Sequence, residues 1–106
     1  MKRLLVCMLA ACALSAADTR TFTGIVTDGE CPKADHSRMQ MGSNDAECTR
    51  ACVDAHGAAF VLYDGKDAFT LKGDGLEKFA AQKVRITGAL DAKTRTIQVE
   101  SISPVK

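Results

Sequence analysis

Apolar and polar positions alternate along most of this chain, and the alternation breaks once, for about thirty residues near the middle. Residues 21–27, TFTGIVT, are rich in β-branched types and place Phe22 and Val26 on one face, which predicts a first strand. Gly24 in its middle predicts a bulge or a tight bend. From residue 28 to 43 the chain turns polar, with Gly29, Pro32, Gly42 and Ser43, and a long loop is expected. At about 16 residues it is longer than most connections in compact domains, and such loops carry a function or are disordered. A ligand or a covalent staple would keep it ordered.

Helical spacing follows the loop. Asn44 suits the N-cap, Glu47 three residues on completes a capping-box-like pair, and Gly57 suits the position just past the last turn. Cys48, Ala51, Cys52 and Ala55 recur at i, i+3, i+4 and i+7, which predicts one buried stripe. His56 falls in the last turn, where a cation suits the helix dipole.

The period then returns to two. Residues 58–63, AAFVLY, read as a second strand, and Asp64-Gly65 is a strong hairpin signal. A third strand is expected over 68–72. Gly73-Asp74-Gly75 ends it, with Asp74 a candidate cap for a short helix whose apolar face is Leu76, Phe79 and Ala80. Residues 83–90, KVRITGAL, form strand four with Val84 and Ile86 inward and Lys83, Arg85 and Thr87 outward. Residues 91–94 turn the chain, and 94–102 form strand five with Ile97 and Val99 inward. The fold class expected is mainly β with α: a five-stranded, OB-fold-like small barrel, with an inserted cysteine-bearing helix and a second short helix between strands three and four.

The N-terminus stands apart from this pattern. Lys2 and Arg3 precede an apolar run from Leu4 to Leu14, and Ser15-Ala16-Ala17 offers small residues before Asp18. This is the form of a secretory signal peptide over residues 1–17, too short to span a membrane, which leaves 18–106 as a single OB-fold-like domain. Leu9-Ala10-Ala11-Cys12 also resembles a lipobox, so a lipoprotein tethered through Cys12 is the competing reading. The apolar residues that follow Cys12 favour cleavage near Ala17. The expected location is the periplasm or the extracellular space.

Composition narrows the function. The whole chain carries a formal charge of +1. Loss of Lys2 and Arg3 brings it to about −1, with no basic stripe and no Trp, which argues against nucleic acid as a partner. No apolar run after the leader approaches membrane-spanning length. Tyr63 and the four phenylalanines fall mostly in strands and offer little exposed stacking surface for a polymer such as a glycan. No nucleophile–base signature is present, so a binding protein is expected and not an enzyme. Its ligand or protein partner is not named by the sequence.

Chemistry concentrates in the break. Residues 28–56 hold both histidines, and every cysteine and methionine beyond residue 12. Cys48 and Cys52 lie one helical turn apart, so their sulfurs can point the same way. Cys31 and His36 lie on the loop that folds back over the helix. Together Cys31, His36, Cys48 and Cys52 make a Cys3His set suited to Zn²⁺, and Met39 as an additional thioether would favour Cu(I). The alternative is a disulfide, which an exported compartment permits. Cys31 paired with Cys48 or Cys52 closes a loop of about 20 residues, worth about 3 kcal/mol in the chain-entropy account. Three thiols leave one without a partner. Asp28, Asp35, Asp45 and Asp54 are spread out and read as solvated loop or cap residues.

The segments TGIVTDGEC, His36 with Met39 and Met41, C-x-x-x-C-V at Cys48, Cys52 and Val53, FVLYDG, and VRITGAL with TIQVESI resemble a family of small exported bacterial proteins of unknown function. Asp28 and Cys31 match its D-x-x-C pattern, and His36 and Met39 its H-x-x-M. The resemblance runs from Thr21 to Ile102. It implies an OB-fold-like domain and carries no activity with it.

Overall fold

The computed structural model describes residues 19–105, so the expected leader, with Cys7 and Cys12, lies outside the described residues. Five strands, one α-helix and one 3-10 helix make up the domain: β1 Thr19–Asp28, α1 Asp45–His56, β2 Phe60–Tyr63, β3 Ala68–Lys72, the 3-10 turn Leu76–Phe79, β4 Lys83–Asp91 and β5 Thr96–Pro104. The strands pair in the order β1-β2-β3-β5-β4 and close into a barrel. All neighbours are antiparallel except β3 and β5, which run parallel from Thr70–Thr96 to Lys72–Gln98.

Closure depends on β1 serving two partners. Its first part, Thr19 to Ile25, pairs with β4, and its last part, Ile25 to Asp28, pairs with β2. Gly24 sits at the changeover. A Cβ there would collide with the carbonyl oxygen of Tyr63 and come within 2.9 Å of its carbonyl carbon. The mid-strand glycine thus marks a close approach of two backbones, which only Gly permits.

The core is the inward face of every strand. Val26, Leu62, Leu71, Val84, Ile86 and Ile97 are buried together, with Leu76 of the 3-10 turn among them. The four phenylalanines pack around this cluster as half-buried residues. The period-two pattern therefore positions the core where burial of apolar area stabilises it most.

The helix ends follow local chemistry. Asn44 is extended at the N-cap, and its Oδ1 accepts the Glu47 N–H at 2.9 Å. The return arm of the capping box shifts by one residue: the Glu47 carboxylate accepts from the hydroxyl of Ser43 at 2.7 Å and from its N–H at 3.4 Å. Gly57, at φ 67°, ends the helix in the left-handed region.

Three local expectations change. The segment between strands three and four is a 3-10 turn, and its cap is Gly75 at φ 72° with no side-chain hydrogen bond, so Asp74 does not cap it. The buried face of α1 is Cys48, Thr49 and Cys52, while Ala55 is exposed, because the last turn extends past the β1 surface that the helix covers. Asp28 is fully buried and not a solvated loop residue, because β1 continues to it and the chain then turns inward over it.

Candidate metal centre

The long loop is built as a series of tight turns starting from the end of β1. The Cys31 N–H donates to the Asp28 carbonyl oxygen at 3.1 Å, and the Ala34 N–H to that of Cys31 at 2.9 Å. The Thr27 hydroxyl also donates to the Cys31 carbonyl, at 2.8 Å. Ala34 takes φ 60°, which lets the chain reverse a second time. The Asp35 carboxylate then accepts the Ser37 N–H at 3.0 Å, and the His36 carbonyl accepts the Met39 N–H at 3.2 Å. These turns swing His36 back onto Cys31.

Asp28, Cys31 and His36 each offer a ligand atom, and these atoms lie within 4.8 Å of one another. All three residues are buried. Asp28 Oδ1 accepts two backbone N–H groups, from Glu30 at 2.9 Å and Cys31 at 3.1 Å, which fixes the carboxylate in place. Its Oδ2 takes no N–H or O–H donor, the Cys52 thiol being hydrogen-bonded to the carboxylate, and His36 Nδ1 has no partner. An unmade hydrogen bond on a buried polar atom costs about 1–3 kcal/mol. Two residues with such atoms in one group of three make an arrangement that suits metal ligands.

The thiols of α1 stand close by. Cys48 is buried, its Sγ donates to the Met39 carbonyl oxygen at 2.9 Å, and it accepts the Met41 N–H at 3.4 Å. Cys52 is fully buried, and Asp28 and Cys48 both act on its thiol. Cys31, Cys48 and Cys52 are free thiols, with none joined in a disulfide. Neither Cys48 nor Cys52 belongs to the tight group, which takes its third member from Asp28. Met39 is exposed at its side chain and serves the site through its backbone.

Electrostatics favour a cation here. Burial first, and then the Asp28 charge, push the Cys31 thiol above its ordinary value. The same two causes push Cys52 up to about 12. Thiols beside a buried carboxylate hold their protons until a positive charge arrives, and a metal ion reverses that preference.

Sequence reasoning missed Asp28 as a site member, though a signal was present. An Asp followed by Gly at a strand end is the start of an Asx turn, which places the carboxylate against backbone N–H groups two and three residues on. Comparison with protein-family models, with curated proteins and with solved structures returned no match for this chain.

Proposed function

We propose that this chain is a small exported protein that binds one transition metal ion through Asp28, Cys31 and His36 and acts by binding, not catalysis. The observation that carries the reading is the pair of unpartnered buried atoms, Asp28 Oδ2 and His36 Nδ1, inside a group whose ligand atoms lie within 4.8 Å. One oxygen, one sulfur and one nitrogen donor suit Zn²⁺. Cu(I) prefers an all-soft set, so the carboxylate tips the choice to zinc, with Cu(I) the second ion to assay. Cys48 and Cys52 supply further thiols next to the group.

The barrel itself is proposed to be an OB-fold. Its support is the strand order β1-β2-β3-β5-β4, the parallel β3–β5 pair and the double pairing of β1. Export rests on the charged and apolar start of the chain. Among the described residues no helix is long and apolar enough to cross a membrane.

The test begins with mature protein purified from an exporting host. Intact mass is expected to place the N-terminus near Asp18, and a lipidated Cys12 would instead make it a tethered lipoprotein. Bound Zn and Cu are then measured beside free thiols. About one equivalent of zinc, three titratable thiols after chelation, and loss of metal in Asp28→Asn, Cys31→Ser and His36→Ala are expected. One free thiol with no metal would overturn the reading in favour of a disulfide-stapled binding module.

A further inference from the structure

Asp28, Cys31 and His36 give an ion three donors, one short of the four that close a tetrahedral zinc site. The fourth comes either from a thiol of α1 or from outside the protein. The Cys48 sulfur is already engaged on both sides. It donates to the Met39 carbonyl at 2.9 Å and accepts the Met41 N–H at 3.4 Å, so it ties the loop to the helix. Turning it to an ion would undo the tie. Cys52 is fully buried, its thiol is hydrogen-bonded to the Asp28 carboxylate, and it does not line the cavity beside His36.

A cavity of about 130 Å³ is lined by His36, Cys48, Gln40, Ser43, Asn44 and Asp45, and of the ligand group only His36 reaches it. That is room for a few waters or one ligand of a few heavy atoms. His36 is the shared wall: it belongs to the ligand group and lines the cavity, and its Nδ1 is buried without a partner.

The other wall is the start of α1. Asn44 Oδ1 takes the Glu47 N–H, and among the described residues no protein acceptor takes those of Asp45 and Ala46. Free N–H groups at a helix start favour a negative ligand. The carboxylate of Asp45 in the same wall limits the charge that is welcome, which selects a monoanion over a polyanion. A dication with one carboxylate, one thiolate and one neutral imidazole is formally neutral, so a further anion would be held by coordination and not by net charge.

We propose that an ion held by Asp28, Cys31 and His36 keeps its fourth position open to this cavity and takes there a small exogenous monoanion, with water as the resting occupant. This rests on the metal reading above. It makes the centre an exchangeable site, in the sense that structural zinc sites are closed and exchangeable ones keep a position free.

Cobalt tests it, because Co²⁺ replaces Zn²⁺ and its visible absorption reports the ligands. The mature protein is loaded with one equivalent of Co²⁺ and titrated with azide. A saturable change in the visible bands is expected, with cobalt still bound after desalting. Cys48→Ala and Cys52→Ala are each expected to keep the thiolate-to-cobalt band at wild-type intensity. A spectrum that azide does not move, with cobalt bound, would overturn the open position. So would loss of thiolate-band intensity in Cys48→Ala or Cys52→Ala, which would identify that thiol as the fourth ligand. Failure of the chain to bind Co²⁺ or Zn²⁺ at all would overturn the metal reading and this inference with it.

Discussion

The barrel interior and the loop–helix flank bury their side chains on opposite terms. Inside the barrel, Val26, Leu62, Val84, Ile86 and Ile97 are fully buried, and each gains from leaving water. Along the flank, between residues 28 and 49, lie the three buried side-chain atoms found without partners among the described residues: Asp28 Oδ2, His36 Nδ1 and Thr49 Oγ1. The first region stabilises the fold by being dry. The second lowers stability as long as its polar atoms stay unmatched, and two of the three belong to one candidate ligand group. Stability and binding are therefore carried by different parts of one small chain, which meet where β1 ends and where α1 packs on β1.

The largest effect should come from the dry side. Ile86 is fully buried in β4, and Ile86→Ala is expected to cost about 2–5 kcal/mol, read as a lower urea midpoint. The stabilisation gained on adding zinc should be unchanged in that variant, because the two sites share no partner. A variant that lost both would show that barrel and flank are one energetic unit.

Next in size is the zinc increment itself. An ion at about 100 times its Kd stabilises the folded state by about 2.7 kcal/mol. His36→Leu should abolish that increment while leaving the metal-free domain as stable as wild type or slightly more so, since it removes an unmatched buried nitrogen. If His36→Leu instead weakened the metal-free domain as much as Ile86→Ala does, the imidazole would be a packing group and the contrast would collapse.

How much of this was legible in the residues follows the same divide. The strands were readable because alternation is local: Val84 and Ile86 inward with Lys83 and Arg85 outward needs no knowledge of the rest of the chain. The helix was readable for the same reason, since Asn44 and Gly57 announce its ends through their own backbone preferences. The flank was readable in composition but not in arrangement. Cys31 and His36 were nominated by residue type, and the loop geometry brought them together. Spacing alone reads Asp28 as a solvated residue, because periodicity does not say that a chain leaving a strand will turn back over its last side chain. Asp74 failed as a cap because a glycine beside it reaches the left-handed region at lower cost. Each miss concerns where a turn sends the chain, which depends on contacts that sequence spacing does not contain.

A third effect appears only in alkali and belongs to the flank. Burial, and then the Asp28 charge, raise the Cys52 thiol from 9.0 to about 12. A folded pKa above the unfolded one gives stability that is fully present below pH 9.0 and is lost as pH rises toward about 12. The metal-free domain should therefore weaken across that window more steeply than Cys52→Ala, with urea midpoints at several pH values as the readout. Equal slopes would mean that the thiol is solvated when the domain is folded, and that the flank is not the closed environment described.

The smallest effect lies far from the flank, at the tip of the β2–β3 hairpin. Asp64 Oδ1 accepts the N–H of Lys66 at 2.8 Å and that of Asp67 at 2.6 Å. These two backbone donors hold its carboxyl below the ordinary value of 3.8. A depressed carboxyl contributes stability above its unfolded pKa and loses it as pH falls through the folded one, so this contribution should vanish in acid below 3.8. The tip is exposed and screened, so Asp64→Ala should lower stability at neutral pH by less than about 1 kcal/mol. Asp64→Asn keeps a side-chain oxygen for the same two N–H groups and should lose less, while removing the acid dependence. Both variants should show the full zinc increment. The hairpin tip touches the barrel through Tyr63, whose hydroxyl donates to the Gly65 carbonyl at 3.0 Å, and it shares no residue with the ligand group. A zinc increment that changed with Asp64 would mean that strain at one end of β2 reaches Asp28 through the β1–β2 ladder, where Asp28 pairs with Phe60 and Ile25 with Tyr63. That outcome would replace two independent regions with a single strand pair acting as a lever between them.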